Sequence, residues 1–433
     1  MSAFALGLIG IALMFVLLLL RQPVWLALAL CGIIGNSVLN SVTMTKFVAG
    51  TSTFDTASGY ALSVIPLFVL MGEVASGSRM SRDLFEAARI ALSGLRGGLA
   101  IASIAASGAF GAICGSSVAT AASMTRIALP EMRRAGYEEG YAASSIAAGG
   151  SLGILIPPSI ILVIYGSIAE ASVARLFAAS MIPGVVLLLL YMFIAWVLAG
   201  RAVNSEQSLR TSTFERLRAL VRPWHFLLLF IVTIGGIYTG TFSPNEAASI
   251  GAFGAIVIGF LRRTLSWPGL VAAVQATVIL SAGLFMIIIG AKLFATFVVQ
   301  TRLPDTLLLL AHEAELTPFL IMAMIVVLYI IMGCFLEGIG MVLITVPVFL
   351  PVIEGYGFDP IWFGVLVVVL VELGLITPPV GMNLFIIKAQ AMTLSMGRLY
   401  AAITPFLIAP VILVTLLFLF PGLALWLPNL LFN

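Results

Sequence analysis

A hydrophobic span interrupted by two consecutive prolines constrains this chain more than any other feature, and it occurs twice. The two copies are GGSLGILIPPSIILVIY over 149–165 and ELGLITPPVGMNLF over 372–385. Proline lacks an N–H and fixes φ, so a helix cannot pass through such a pair with its hydrogen bonds intact. In hydrocarbon each stranded backbone group costs several kcal/mol, and a break survives only where protein, water or a ligand satisfies it. The proline pairs lie 221 positions apart, and the same offset relates Leu129-Pro130 to Leu350-Pro351, Gly136-Tyr137-Glu138 to Gly357-Phe358-Asp359, Tyr141 to Trp362 and Gly153 to Gly374. After two added residues it resumes, with Arg175-Leu-Phe-Ala-Ala answering to Arg398-Leu-Tyr-Ala-Ala. So many matches at one spacing imply a duplication of about half the chain. The expected units are a first repeat over 1–222 and a second over 223–433.

The surroundings follow from composition. Of 433 residues, 61% are hydrophobic and only 9% charged, against about 25% charged in a soluble domain. This is the composition of an all-α polytopic membrane protein. Nothing supports nucleic-acid binding. Cys31, Cys114 and Cys334 are odd in number and lie in apolar or hairpin segments, which excludes a disulfide framework and gives no metal spacing. The first basic residue, Arg21, follows the apolar run 3–20, so that run reads as a retained first helix and not a signal peptide.

Further apolar spans cover 23–39 and 61–74, with a more polar stretch over 43–60 between them. The segment 98–130 is too long for one straight crossing and is flanked by Arg96 on one side and Arg133 and Arg134 on the other. Both ends are therefore expected on the cytoplasmic side, which makes the segment a re-entrant hairpin with GAICGSSVATAAS at its tip. The first broken helix is expected over about 140–170, and 176–199 returns to a basic connector between Arg201 and Arg222, Arg210 included. There Ser212 and Glu215 form a capping-box pattern, and Phe214, Leu217 and Val221 form an apolar stripe among arginines. An interfacial helix on anionic membrane lipid is expected.

The second half repeats these events. Spans are expected over 224–241 and 247–261, then a segment over 267–283 and a span over 284–300. A hairpin over about 318–351, a broken helix over about 361–392 and a last helix near 399–420 follow. Each half then carries five crossings, an odd number that inverts the second repeat relative to the first. Lys46, Arg175, Lys292 and Arg302 are left outside and the remaining basic residues inside, which puts both termini in the periplasm of a bacterial inner membrane.

Broken helices in corresponding positions of two repeats are the strongest sequence pointer to a transporter's binding site. The carbonyls freed around 153–156 and 374–377 suit a hard cation. The Gly- and Ser-rich tip offers hydroxyls, further carbonyls and a helix N-terminus facing an anion. Ser116 of the first tip corresponds to Glu337 of the second, and Ser151 to Glu372. These two carboxylates line a cation site, take up a proton, pair with an arginine, or are structural groups satisfied by hairpin N–H groups. Ser159 beside the first break, and Thr377 and Asn383 beside the second, are expected to contact substrate with Ser116 and Ser117.

Other patterns carry less. Gly149-Gly150-Ser151-Leu152-Gly153 matches G-x-S-x-G, but that motif needs a strand-to-helix elbow and a histidine partner, and His225 and His312 lie near span ends. His312-Glu313 is followed by Leu316 where a zinc protease needs histidine. No phosphate loop is present, the scattered methionines read as packing, and no enzymatic activity is expected.

GSSVATAAS, SLGILIPPSI, GCFLEGIGMVLITVPVFLPV and GLITPPVGMNLF resemble, in order and spacing, the large membrane subunit of tripartite ATP-independent periplasmic (TRAP) transporters, and the likeness covers essentially the whole chain. The resemblance implies an elevator-type secondary transporter driven by sodium, which would take an organic anion of the dicarboxylate or sugar-acid class from a periplasmic binding protein. It implies a small four-helix membrane subunit as partner, expected as a separate chain because no such extension precedes Met1. By position, one Na+ site would use Gly115, Ser116, Ser117, Gly153 and Pro157, and a second Gly333, Glu337, Gly338, Thr377, Pro378 and Gly381. A thiol is a poor sodium ligand, so at Cys114 only the backbone is expected to count. Competing readings are a proton-coupled or antiporting carrier using Glu337 and Glu372, and a passive channel or scaffold.

Overall fold

The computed structural model describes residues 2–202 and 212–432; Arg210 and the rest of the connector over 203–211 lie outside the described residues, as do the terminal Met1 and Asn433 of the two expected repeats. The regular elements among the described residues are all helices, with no strand. Among the described residues six helices are long and apolar enough to cross a membrane, or seven if one bent pair counts as a span.

The first half opens with α1 (Ala3–Leu19), α2 (Val24–Leu39) and α3 (Val42–Ser58), followed by α4 (Val64–Gly77) and the amphipathic α5 (Met80–Ala91). The polar stretch expected between spans is thus itself a helix, started by Ser41, whose hydroxyl accepts the Met44 N–H at 3.2 Å. Next come α6 (Gly98–Cys114) and α7 (Ser117–Arg134), which pack together and are joined by Gly115 and Ser116 alone. The first broken span is α8 (Glu139–Ser151), a single 3-10 turn over Leu152–Ile154, the two prolines, and α9 (Ile160–Ile168). The half closes with α10 (Val173–Ala202).

Beyond the connector, α11 (Thr213–Val221) starts with the expected capping box between Ser212 and Glu215, and Phe214, Leu217 and Val221 are exposed. The span α12 (Trp224–Phe230) continues through a π turn over Ile231–Gly235 into α13 (Gly236–Tyr238), and α14 (Pro244–Leu261) follows. The segment and span expected over 267–300 form one helix, α15 (Trp267–Gln300). Gly283 interrupts nothing, because a lone glycine costs only about 1 kcal/mol in a helix and the sequence supplies no proline or cap beside it. After α16 (Leu303–Glu313) come α17 (Pro318–Gly333) and α18 (Gly338–Gly355), then the second broken span, α19 (Pro360–Ile376) and α20 (Met382–Gln390). The chain ends in α21 (Met396–Ile403), α22 (Ile408–Leu419) and α23 (Gly422–Phe432).

Two packing regions position the breaks. In one, α15 lies against α2 and α4, and α14 against α4. Small residues permit the approach: a Cβ on Gly32 would come within 2.5 Å of the Leu293 backbone, and one on Gly290 within 2.5 Å of the Trp25 carbonyl. In hydrocarbon, where apolar surface gains little by leaving lipid, such close contacts hold helices together. In the other region the broken spans pack on each other and on α6, α7, α17 and α18. Contacts here repeat at the sequence offset. Glu138 accepts the N–H groups of Gly140 and Tyr141, and Asp359 those of Ile361 and Trp362. The Tyr141 hydroxyl donates to Ala195 O at 2.6 Å, and Trp362 Nε1 to Leu417 O at 3.0 Å.

Candidate functional site

The first tip forms because Gly115 turns the chain at φ 63° and Ser116 starts α7, its Oγ accepting the Ala119 N–H at 3.4 Å. Thr120 Oγ1 donates to Ser116 O at 2.7 Å. Against this turn sits Gly153: a Cβ there would meet Thr120 Oγ1 at 2.8 Å and Ser116 O at 2.9 Å. A Cβ on Gly111 would lie 2.5 Å from Gly153 Cα, and one on Gly115 2.9 Å from Pro158 O. Tip and break therefore meet backbone to backbone, a contact that only glycine permits. Ser117 and Pro157 are buried in the same cluster. Ser159 restarts the helix: it accepts the Leu162 N–H at 3.3 Å while its hydroxyl donates to Ile154 O, so both roles of that hydroxyl are taken within the chain.

The second tip and break meet in the same way. A Cβ on Gly374 would come within 2.7 Å of Gly333 Cα. Cys334 Sγ donates to Pro378 O at 3.4 Å, and the Thr377 hydroxyl to Leu373 O. Gly381, at φ 57°, begins α20 with the Thr377 carbonyl alongside. Gly338 begins α18 against Val371 and, across to the first broken span, Ile161. Glu337 stands at the N-terminal position of α18, but its carboxylate caps no N–H and is exposed. In each half the Pro–Pro bond is cis.

The cation candidates thus fall into two groups. Gly115, Ser116, Ser117, Gly153 and Pro157 are together at the first tip, and Gly333, Thr377, Pro378 and Gly381 at the second, with Glu337 at its rim. What converges at each is backbone carbonyl and hydroxyl oxygen, the donor set of a hard monovalent cation. Between the groups lies Glu372, fully buried, with neither carboxylate oxygen hydrogen-bonded and with the Leu155 amide and Tyr191 in electrostatic reach. Tyr191 in turn shares a hydrogen bond of 3.3 Å with Ser151, the residue corresponding to Glu372. Asn383 is buried, with its amide oxygen and nitrogen both unpartnered. Unpartnered buried polar groups cost about 1–3 kcal/mol each, which marks both residues as held for something other than stability.

Sequence reasoning passed over Glu73. It lies on α4, close enough to feel both Arg126 of α7 and Cys114 of the first tip. The signal was present, since a carboxylate inside the apolar run 61–74 needs a reason as much as Glu337 does.

Residues 11–423 match the family described as tripartite ATP-independent periplasmic transporter, DctM component. The chain is 35% identical over 377 residues, 87% of its own length and 88% of the relative's, to a C4-dicarboxylate TRAP transporter large permease protein DctM of Pseudomonas aeruginosa. It is 29% identical to a sialic acid TRAP transporter large permease protein SiaM of Vibrio cholerae, covering 86% of this chain and 87% of that one. Among solved structures, the Alcanivorax borkumensis YdaH transporter is similar in fold, with a TM-score of 0.61 at 17% identity over 87% of this chain and 89% of that one.

Proposed function

The chain belongs to the DctM family of TRAP transporter components and is a multi-pass membrane permease, and from that premise we propose sodium-driven uptake of an organic anion by an elevator mechanism. The observation that carries the reading is the pairing, in each half, of one helix-pair tip with one broken helix, glycine against glycine, with carbonyl oxygens gathered around both contacts. Binding Na+ at either site would join tip to break and hold the arm closed, and the anion would lie between the two, beside Ser116, Ser117, Thr377 and Asn383. The contacts that recur at the 221-residue offset support reading the halves as inverted repeats with re-entrant hairpins. In this reading both termini are periplasmic, the protein sits in the inner membrane, a periplasmic binding protein delivers the anion, and a small four-helix subunit partners the permease. The relatives' names support the class of cargo, since one is a C4-dicarboxylate and another a sialic acid permease.

Thermal unfolding of the purified protein in sodium chloride, against potassium or choline chloride at equal ionic strength, tests this. A cation at 100 times its Kd stabilises by about 2.7 kcal/mol per site, so a sodium-specific rise in Tm is expected. Equal Tm in all three salts overturns the sodium sites.

One observation favours a second reading. Glu372, buried without a hydrogen bond between the two breaks, is placed to carry a proton in a proton-coupled carrier of the same fold. Uptake that persists without sodium and is lost in Glu372→Gln decides for it.

A further inference from the structure

On the arginine-rich side, the amphipathic α5 and the second arm of the first tip, α7, stand apart and enclose a cavity of about 320 Å³. It adjoins a second of about 590 Å³ between α7, α4 and the N-terminal half of α15; Arg82, Arg126 and Ile127 line both. Together they have the size of a small-ligand site, about 300–1,000 Å³. Arg82 pairs with Glu86 at 3.5 Å and Arg134 with Glu131 at 2.9 Å, whereas Arg79 and Arg89, each lining one cavity only, form no ion pair among the described residues. Arg126 is exposed to the cleft at the junction and forms no hydrogen bond or ion pair among the described residues, with Glu73 facing it from α4. Beside it a contact of 3.1 Å between Ser76 Oγ and Ser123 Oγ bridges α4 to α7. The opposite wall, on α15, is Gly269, Ala272, Ala273 and Ala276, small residues that leave room without offering the long apolar groove an acyl chain would need.

We propose that this cleft is an exit station for the transported anion, in which Arg126 receives a carboxylate of the substrate on its way to the cytosol. The inference rests on the carrier reading above. An unpaired guanidinium facing a cavity binds a carboxylate through two parallel N–H donors, which an ammonium cannot reproduce. Glu73 competes for the same guanidinium from the facing wall, so the station holds the anion briefly and gives it up. The Ser76–Ser123 contact lies where α7 meets α4, and it must part as the arm moves. Arg79, Arg82, Arg89, Arg126 and Arg134 outnumber Glu73, Glu86 and Glu131 around the two cavities, and the net positive potential concentrates anions in a cleft with low-dielectric walls.

The test needs neither the cargo's identity nor sodium. Ser76→Cys, half-buried on the α4 wall of the cleft, is introduced with Cys334→Ala in the full chain, reconstituted with the small subunit in phosphatidylcholine vesicles. The cysteine is labelled from the arginine-rich side with a sulfonate-bearing and with a trimethylammonium-bearing methanethiosulfonate. The anionic reagent is expected to be favoured about tenfold relative to its ratio on free cysteine. That preference should fall several-fold in Arg126→Gln, persist in Arg126→Lys, and millimolar succinate should slow labelling only where Arg126 is present. A preference unchanged by Arg126→Gln, or a cationic preference, overturns the station. Loss of the preference on adding phosphatidylglycerol to the vesicles assigns the cleft to a lipid headgroup and also overturns it. Failure of the carrier reading shows instead as succinate flux through the vesicles that neither saturates nor responds to a sodium or proton gradient, with these labelling ratios intact.

Discussion

Around the first pair of prolines every residue from 151 to 160 is buried, whereas around the second Thr377 and Pro378 are half-buried and Pro379 is exposed. The tips differ in the same sense. The first turns in two residues, Gly115 and Ser116, and the second takes four, Cys334 to Glu337, with Phe335 66% exposed. Both halves carry the same sequence pattern, so the motif itself does not set the difference. It arises from what each break is given to close on. In the first half, Ser159 ties its own backbone across the gap and Gly153 lies directly on the Ser116 carbonyl. In the second, Gly381 turns away in the left-handed region and the Pro379 carbonyl accepts the Tyr400 hydroxyl, a partner from outside the break. One shared motif thus forms a sealed joint and an accessible one, and on the carrier reading the accessible joint is where cation and anion enter.

Three experiments sharpen or break this contrast. The largest effect is expected from Gly153→Val, which puts a branched side chain where even a Cβ meets Thr120 and Ser116 at under 3 Å. Overpacking of this kind costs about 1–3 kcal/mol, and forcing tip from break should abolish uptake. Normal uptake with an unshifted Tm would mean that the joint is not sealed. A smaller effect separates the two hydroxyls. Ser159→Ala removes a helix cap and should lower stability by about 1 kcal/mol with sodium affinity within twofold of wild type. Thr377→Val should lower sodium affinity about tenfold with little change in Tm; the reverse pattern would exchange the roles of the two breaks. The smallest effect uses the native cysteines. Cys334 is partly exposed and Cys114 buried, so maleimide should label the first and spare the second, and sodium should slow labelling of Cys334 two- to threefold. Sodium protection of Cys114 alone would invert the comparison.

The positions of the breaks and tips were legible because proline and glycine act through local backbone chemistry, which the sequence states outright: helices end at Cys114, Ser151 and Ile376 for those reasons. The capping box at Ser212 was legible on the same grounds. The packing was not. Lipid is as apolar as a protein core, so α15 shows no stripe to reveal which face meets α2 and α4, and nothing local distinguishes a segment plus a span from one continuous helix over 267–300. The cleft around Arg126 and Glu73 was illegible for a related reason, since it exists only once α7 and α4, which are not consecutive in the chain, face each other. The unequal burial of the two proline pairs follows from tertiary closure and is not encoded in the motif that they share.

The hydroxyl of Tyr165, buried in the first broken span, donates to Pro360 O at 2.6 Å, and Gly364 of the second span lies against the Tyr165 ring. That partner emerges 195 residues later, which at about 5–20 residues per second of synthesis is a delay of about 10–40 s. A first half released into the bilayer during this interval would carry an unmatched polar hydroxyl and a flank open to lipid. Biogenesis of this protein therefore requires either that the insertion machinery shelters the early helices or that they enter the lipid only when their counterparts arrive. A ribosome stalled after α10 should leave a nascent permease still in the keeping of that machinery.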